Sequence, residues 1–228
     1  AYRALKKRGR IPQDKEIKFI AFGGDGGTYD IGLQSLSGAL ERGHNFLYVC
    51  YDNGAYMNTG VQRSSATPFG SATTTSPAGE VIPGKMEWRK DLTRIVVAHN
   101  IPYAAQASPQ NWADLSKKAE KALKTKGPSF MNIISPCPLG WYTKPEDSMR
   151  LAKLAVDTCY WPLYEVEAGL LRVTYKPKDK RPVEEWLKAQ GRFKHLFTAE
   201  NRRLIDEFQA RVDKDWQRLS DFDGKYVF

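Results

Sequence analysis

The chain has 228 residues, 41% hydrophobic and 27% charged, a globular balance that excludes disorder as its overall state. It has no apolar run of the roughly 18 residues a membrane-spanning helix needs. A net charge of +9 suits an acidic partner, but its aromatics are not interleaved with Lys and Arg as nucleic-acid binding requires.

In chain order, residues 17–23 read as a short buried strand running into the turn Gly23-Gly24-Asp25-Gly26-Gly27. A helix of about 13 residues follows, with Ile31, Leu33, Leu36, Ala39 and Leu40 on its apolar side and Gly43 at its end. Phe46 to Tyr51 is continuously apolar, as strands of parallel sheets are. Residues 53–85 are rich in Thr, Ser, Gly and Pro and show no period. A loop of this length inside a compact domain is usually functional, the alternative being a disordered linker.

Trp88 to His99 reads as a helix with Trp88, Leu92, Ile95 and Val96 to one side, and Ile101 to Ala107 as a strand. Ser108-Pro109 reads as the cap and first residue of a helix whose stripe is Trp112, Leu115, Ala119 and Leu123, stopped by Gly127-Pro128. Phe130 to Ile134 is the next strand and Glu146 to Cys159 the next helix. Residues 163–176 read as a hairpin turning at Ala168-Gly169. Residues 176–194 carry seven Lys or Arg against three acids, and Thr198 caps a last helix with Leu204, Phe208, Val212, Trp216 and Leu219 on one face.

The alternation predicts an α/β fold: a parallel sheet flanked by helices over residues 1–160, with 161–228 as a peripheral C-terminal extension. Such sheets bind ligands at the carboxyl ends of their strands. Residues 24–27, 52–62 and 135–141 all lie at such ends and should converge.

Glycines at Gly24, Gly26 and Gly27 let a backbone approach a phosphate at a helix start. A bare carboxylate at Asp25 would repel that phosphate unless a divalent cation lay between them. Asn53, 28 residues later at the next strand end, offers a neutral oxygen, and carbonyls just beyond it offer another. With two phosphate oxygens these would nearly fill the octahedron Mg²⁺ demands. The alternative is that Asn53 merely opens a turn. The spacing is neither a dinucleotide fingerprint nor a Walker A loop. None of His44, His99 and His195 lies in a catalytic or zinc motif. Cys50, Cys137 and Cys159 are too few and too widely spaced for a disulfide framework, so a reducing, cytoplasmic setting is expected.

Gly24-Asp25-Gly26 followed by Asn53 resembles the motif of thiamine-diphosphate enzymes. The longer stretches Gly24–Gly32 and Tyr51–Pro68, with Ser135-Pro136-Cys137-Pro138, Tyr160-Trp161-Pro162-Leu163-Tyr164 and Gln190-Gly191-Arg192-Phe193, are more specific. They resemble the beta subunits of pyruvate:ferredoxin oxidoreductase, in the 2-oxoacid:ferredoxin oxidoreductase family, across nearly the whole chain.

The resemblance implies a catalytic subunit for oxidative decarboxylation of pyruvate to acetyl-CoA and CO₂, with electrons passing through iron–sulfur clusters to ferredoxin. It implies Mg²⁺ ligation by Asp25, Asn53 and the Ala55 carbonyl. Gly24, Gly26 and Gly27 would lie against the diphosphate, and Asn58 and Thr59 near the reacting carbon and the 2-oxoacid. Cys137 would be one ligand of a [4Fe-4S] cluster. Alpha, gamma and delta-type subunits, ferredoxin, a 2-oxoacid and coenzyme A are the implied partners, with no nucleic acid and no membrane.

The sequence departs from that family in two respects. The further cluster cysteines are absent, and Ala1 to Gly9 reads as a helix tail, so an N-terminal part carried elsewhere is expected. Gly54 stands where a larger residue is common. The runner-up readings are a related enzyme for oxalate, 2-oxoglutarate or a branched-chain 2-oxoacid, and a non-catalytic basic binding module on the same fold. The dense run Lys176, Lys178, Lys180 and Arg181 is a candidate ferredoxin surface by charge, or a face for another subunit.

Overall fold

The computed structural model describes residues 1–227. A short helix, α1 (Tyr2–Lys7), precedes strand β1 (Phe19–Gly24), a π-helical turn at Gly26–Ile31 and helix α2 (Leu33–Glu41). Strand β2 (Phe46–Asp52) leads into the long loop, which ends at helix α3 (Leu92–Val97). Strand β3 (Tyr103–Ala107), helix α4 (Trp112–Lys124), strand β4 (Ser129–Ile134) and helices α5 (Pro138–Trp141) and α6 (Ser148–Asp157) follow. The hairpin β5 (Leu163–Glu167) and β6 (Leu170–Tyr175) then leads to helices α7 (Val183–Lys188) and α8 (Arg202–Asp221).

The strands form a six-stranded sheet in the order β1-β2-β4-β3-β5-β6. The first four are parallel, as the alternation predicts, and β5 and β6 continue the sheet antiparallel from β3. Alternate strand residues serve the two faces. Leu47, Val49, Tyr103 and Met131 pack with Leu115, Ala119 and Ala122 of α4. Cys50, Ala104 and Phe130 pack with Leu36 and Leu40 of α2 and with Leu92 and Val96 of α3.

Several expectations are corrected. The part expected as a peripheral extension is, over its described residues 161–227, not peripheral: β5 pairs with β3 through Ala104 and Val166, and Trp186, Phe193 and Phe208 share one core with Phe69, Ile134 and Trp141. Large aromatics at these positions are buried against the first part of the chain, so there is no packing boundary at residue 160. The strand at 17–23 is an edge, with β2 on one side, and Phe19, Ile20 and Phe22 are exposed. Ile31 is 86% exposed because the π turn lags the 3.6-residue period and rotates it outward. The helix expected from Trp88 begins only at Leu92. Asp91 caps it by accepting from Arg94 N, and Trp88 stacks on Phe69 with ring centroids 4.3 Å apart.

On α4 the expected stripe is displaced. Trp112 and Leu123 are exposed while Lys118 and Ala122 are buried. Burial of Lys118 is tolerated because its ammonium donates to Gln106 O, Asp114 Oδ2 and Thr174 Oγ1 at 2.7–2.8 Å, using all its protons. Ser108 makes no cap bond, and Asn111 stands at the helix start instead. Asn201, not Thr198, precedes α8. The hairpin turns at Ala168-Gly169, both with positive φ, as expected for a tight two-residue turn.

Candidate cation and cofactor site

Because β1 and β2 are parallel, with Gly24 beside Tyr51, Asp25 and Asn53 emerge at the same edge of the sheet. Asp25 is fully buried. Its Oδ2 accepts from Ser64 Oγ at 2.5 Å, and its Oδ1 from the Asn53 backbone N–H at 3.3 Å. One end of the Asn53 side-chain amide faces Asp25 Oδ1 at 2.8 Å and the Ala55 carbonyl oxygen at 2.9 Å.

Two acceptors facing one amide end allow two arrangements. Without a cation the amide turns its NH₂ to both; with one it turns its oxygen and the metal lies among three oxygens. Octahedral Mg²⁺ holds its ligands at about 2.0–2.1 Å, which places neighbouring oxygens about 2.9 Å apart. The spacing at Asp25, Asn53 and Ala55 matches that edge, so these residues fit a small hard cation. No group of three or more His, Cys, Asp or Glu converges among the described residues; the oxygen set here is one carboxylate, one amide and one carbonyl.

Gly26 and Gly27 differ in what they do. A Cβ on Gly26 would come within 2.4 Å of the Tyr56 ring, so that position closes against the loop. A Cβ on Gly27 would meet nothing within 4 Å, so its backbone faces open space, as a phosphate cradle requires.

The turn that carries Asn53 and Ala55 is held from behind. Trp141 Nε1 donates to Asn53 O at 2.7 Å, and Thr67 Oγ1 donates to Gly54 O at 2.7 Å. The buried Lys85 ammonium donates to Thr67 O at 2.6 Å, and burial brings its pKa down to about 8. Residues Ser64 and Ala66–Ser71 are buried, so the long loop is a packed part of the site and not a linker. Gly54 has φ +76°, and a Cβ there would stand 3.0 Å from Arg192 Nη1 and 3.3 Å from Pro68 Cδ. The positive φ and the two close contacts explain why glycine suits this position in this chain. Gly54→Ala should therefore destabilise the chain by about 1 kcal/mol or more, measured by denaturant unfolding, because L-residues are strained at that φ. Stability equal to the parent would remove the clash argument.

Asp52 is not placed to share the cation. Its Oδ2 accepts from Tyr29 OH at 2.5 Å and from Arg89 Nη2 at 2.6 Å, while Gly54 N donates to Oδ1 at 3.1 Å. Arg89 also stacks over Trp161, 4.7 Å from the ring centroid. Burial, and then the negative charge of Asp52, push the Asp25 carboxyl up to about 7; the bonds from Ser64 and Asn53 pull the other way. A cation must displace that proton. Below about pH 7 its affinity should fall by about tenfold per pH unit, and above pH 7 it should level off, as a Mg²⁺ titration between pH 5.5 and 8.5 would show. A flat profile across that range would contradict a protonated Asp25.

Asn58 and Thr59 lie on the exposed turn Met57–Gly60, where Thr59 Oγ1 donates to Gln62 Oε1 at 2.6 Å. Cys137 is half-buried between Pro136 and Pro138 at the start of α5, and its carbonyl accepts from Trp141 N at 2.8 Å. Cys50 and Cys159 are buried core thiols; burial raises both pKa values, that of Cys159 to about 12. Among the described residues Cys137 is therefore the one half-buried thiol.

Sequence reasoning missed Ser64 and Thr67, which lie inside the quoted Tyr51–Pro68 stretch but received no role. It also missed Arg89, which no motif signals, since it reaches Asp52 across 37 residues. The basic run at 176–181 is largely paired within the chain. Lys176 meets Asp223 at 2.7 Å, Lys180 meets Asp213 and Arg181 meets Glu185. Lys178 is the one cation of that run with no ion pair among the described residues.

Residues 6–133 match the family model for the thiamine pyrophosphate enzyme C-terminal TPP binding domain. The chain is 56% identical over 220 residues to pyruvate synthase subunit PorB of Thermotoga maritima, a match spanning 96% of this chain and 68% of that protein. It is 53% identical over 211 residues to the PorB of Methanocaldococcus jannaschii, spanning 91% and 70%. Similarity extends to ketoisovalerate oxidoreductase subunit VorB of Pyrococcus furiosus, 46% identical over 219 residues and spanning 95% and 69%.

Proposed function

The chain belongs to the thiamine pyrophosphate-binding PorB subunits of the 2-oxoacid:ferredoxin oxidoreductase family, and from that premise we propose that it binds Mg²⁺–thiamine diphosphate through Asp25, Asn53 and Ala55 and acts on pyruvate. The observation that supports this reading is one Asn53 amide end lying 2.8 Å from the buried Asp25 carboxylate and 2.9 Å from the Ala55 carbonyl oxygen. Thiamine diphosphate, when bound, supplies the carbanion chemistry.

The protein's part is positioning. Asp25 provides the anionic ligand, and Ser64 fixes its second oxygen so that Oδ1 faces the cation. Trp141 and Thr67 hold the Asn53–Ala55 turn in register with Asp25. Gly27 leaves room for the diphosphate. Asn58 and Thr59, on their exposed turn, would meet a 2-oxoacid from the solvent side. Partner subunits, ferredoxin and coenzyme A complete the reaction.

Cys137 would give one thiolate to a [4Fe-4S] cluster, with the other three ligands from outside residues 1–227. Cys137→Ser in the assembled complex should lower bound iron and the cluster's electron paramagnetic resonance signal. Unchanged iron content would place the cluster elsewhere.

The function is tested on the native complex by titrating thiamine diphosphate with and without Mg²⁺, and by turnover on pyruvate, 2-oxoglutarate and 2-ketoisovalerate. Mg²⁺-dependent binding with pyruvate preferred is expected. The similarity to VorB makes the branched-chain acid the competing substrate. Binding without turnover on any of them would favour the non-catalytic reading.

A further inference from the structure

A cavity of about 730 Å³ lies between α3, α8 and the sheet, lined by none of Asp25, Asn53, Ala55, Asn58 or Cys137. Its size is that of a small-molecule pocket, roughly 300–1,000 Å³. Leu92 and Ile95 of α3, Phe208 and Trp216 of α8, and Val166 and Leu171 of the hairpin give it apolar walls.

Two features show what it would take. Asn132, on β4, lines the cavity and is 99% buried (1% exposed). Its Nδ2 donates to Tyr29 OH at 2.8 Å, but its Oδ1 has no hydrogen-bond partner among the described residues. A buried amide oxygen without a donor is costly, and this one is the unsatisfied acceptor on a residue of the cavity wall. The second feature is charge. Arg89, Lys90, Arg94, Arg211 and Arg218 line the cavity against only Asp91 and Asp215. Arg211 is taken by Asp215 at 2.6 Å, and Arg94 is only loosely held by Asp91 at 3.9 Å. Arg218 is exposed and forms no ion pair among the described residues. The lining therefore offers an unsatisfied acceptor, apolar walls and an excess of positive charge.

We propose that this cavity is a second binding site, for an amphipathic organic anion: a ring or chain among Trp88, Val166 and Trp216, a donor on Asn132 Oδ1, and an acidic group at Arg94 and Arg218. An apolar peptide segment fits less well, because it would bring no charge to Arg94 and Arg218.

The test uses the native complex and two dyes of the same body. 1-Anilinonaphthalene-8-sulfonate carries an aromatic body, one N–H and an anionic group; N-phenyl-1-naphthylamine lacks only the anion. Both should bind, with energy transfer from the lining tryptophans Trp88, Trp161 and Trp216. The exposed pair Arg94→Glu/Arg218→Glu should weaken the sulfonate dye at least tenfold and leave the neutral dye unchanged. Val166→Trp, which fills the cavity, should weaken both at least tenfold. The site is refuted if the parent complex binds neither dye, or if every variant binds both like the parent. Equal weakening of both dyes by the arginine reversals would overturn the anion assignment.

Discussion

Asp25→Ala lowers the affinity of the assembled complex for thiamine diphosphate by at least about tenfold, about 1.4 kcal/mol, and removes most of its Mg²⁺ dependence. Two losses combine in that variant. Asp25 is the one anionic member of the proposed oxygen set, so without it the cation would have only neutral protein ligands. The carboxylate also accepts from Ser64 Oγ, which is buried and would be left without its acceptor. Asp25→Asn separates the two, since it keeps an oxygen for Ser64 and removes the charge. If charge dominates, Asn and Ala variants bind equally weakly. Thermal unfolding of each assembled variant distinguishes lost binding from lost folding. Parent-like affinity and Mg²⁺ dependence in both variants would remove Asp25 from the site.

Arg89→Met destabilises the protein by about 3–5 kcal/mol, the range for stripping one partner from a buried ion pair. Asp52 is 3% exposed and Arg89 20%, so the carboxylate that remains cannot reach water. Arg89 also donates to Tyr29 OH at 2.5 Å and Tyr160 OH at 3.2 Å and stacks on Trp161, and methionine recovers only part of that packing. The magnitude is tested by the double variant Arg89→Met/Asp52→Asn, which removes the orphaned charge. It should regain a large share of the loss in a denaturant midpoint measurement. If the single variant loses less than about 1 kcal/mol, the pair contributes like an exposed one and the burial argument fails.

Local sequence determined the order of strands and helices, because the apolar period reports which side of an element is buried before any partner is known. It also determined the cation candidates. Asp25 and Asn53 each sit one residue past a strand, and parallel neighbouring strands must bring their carboxyl ends together. The resemblance added the Ala55 carbonyl. Only the tertiary structure decided the rest, and the reason differs by residue. Lys118 on an expected polar face is buried because Gln106, Asp114 and Thr174 meet its three protons, and two of those lie on other elements. Arg89 and Asp52 compensate each other across a loop that carries no period. Trp186, Phe193 and Phe208 read as an appendage by position, yet they complete the core under Trp141. Apolar pattern is a property of one segment, whereas the compensation of a buried charge depends on partners brought in by the fold. So the sequence by itself determined the framework and the two strand-end candidates, and the folded structure decided what holds them in place.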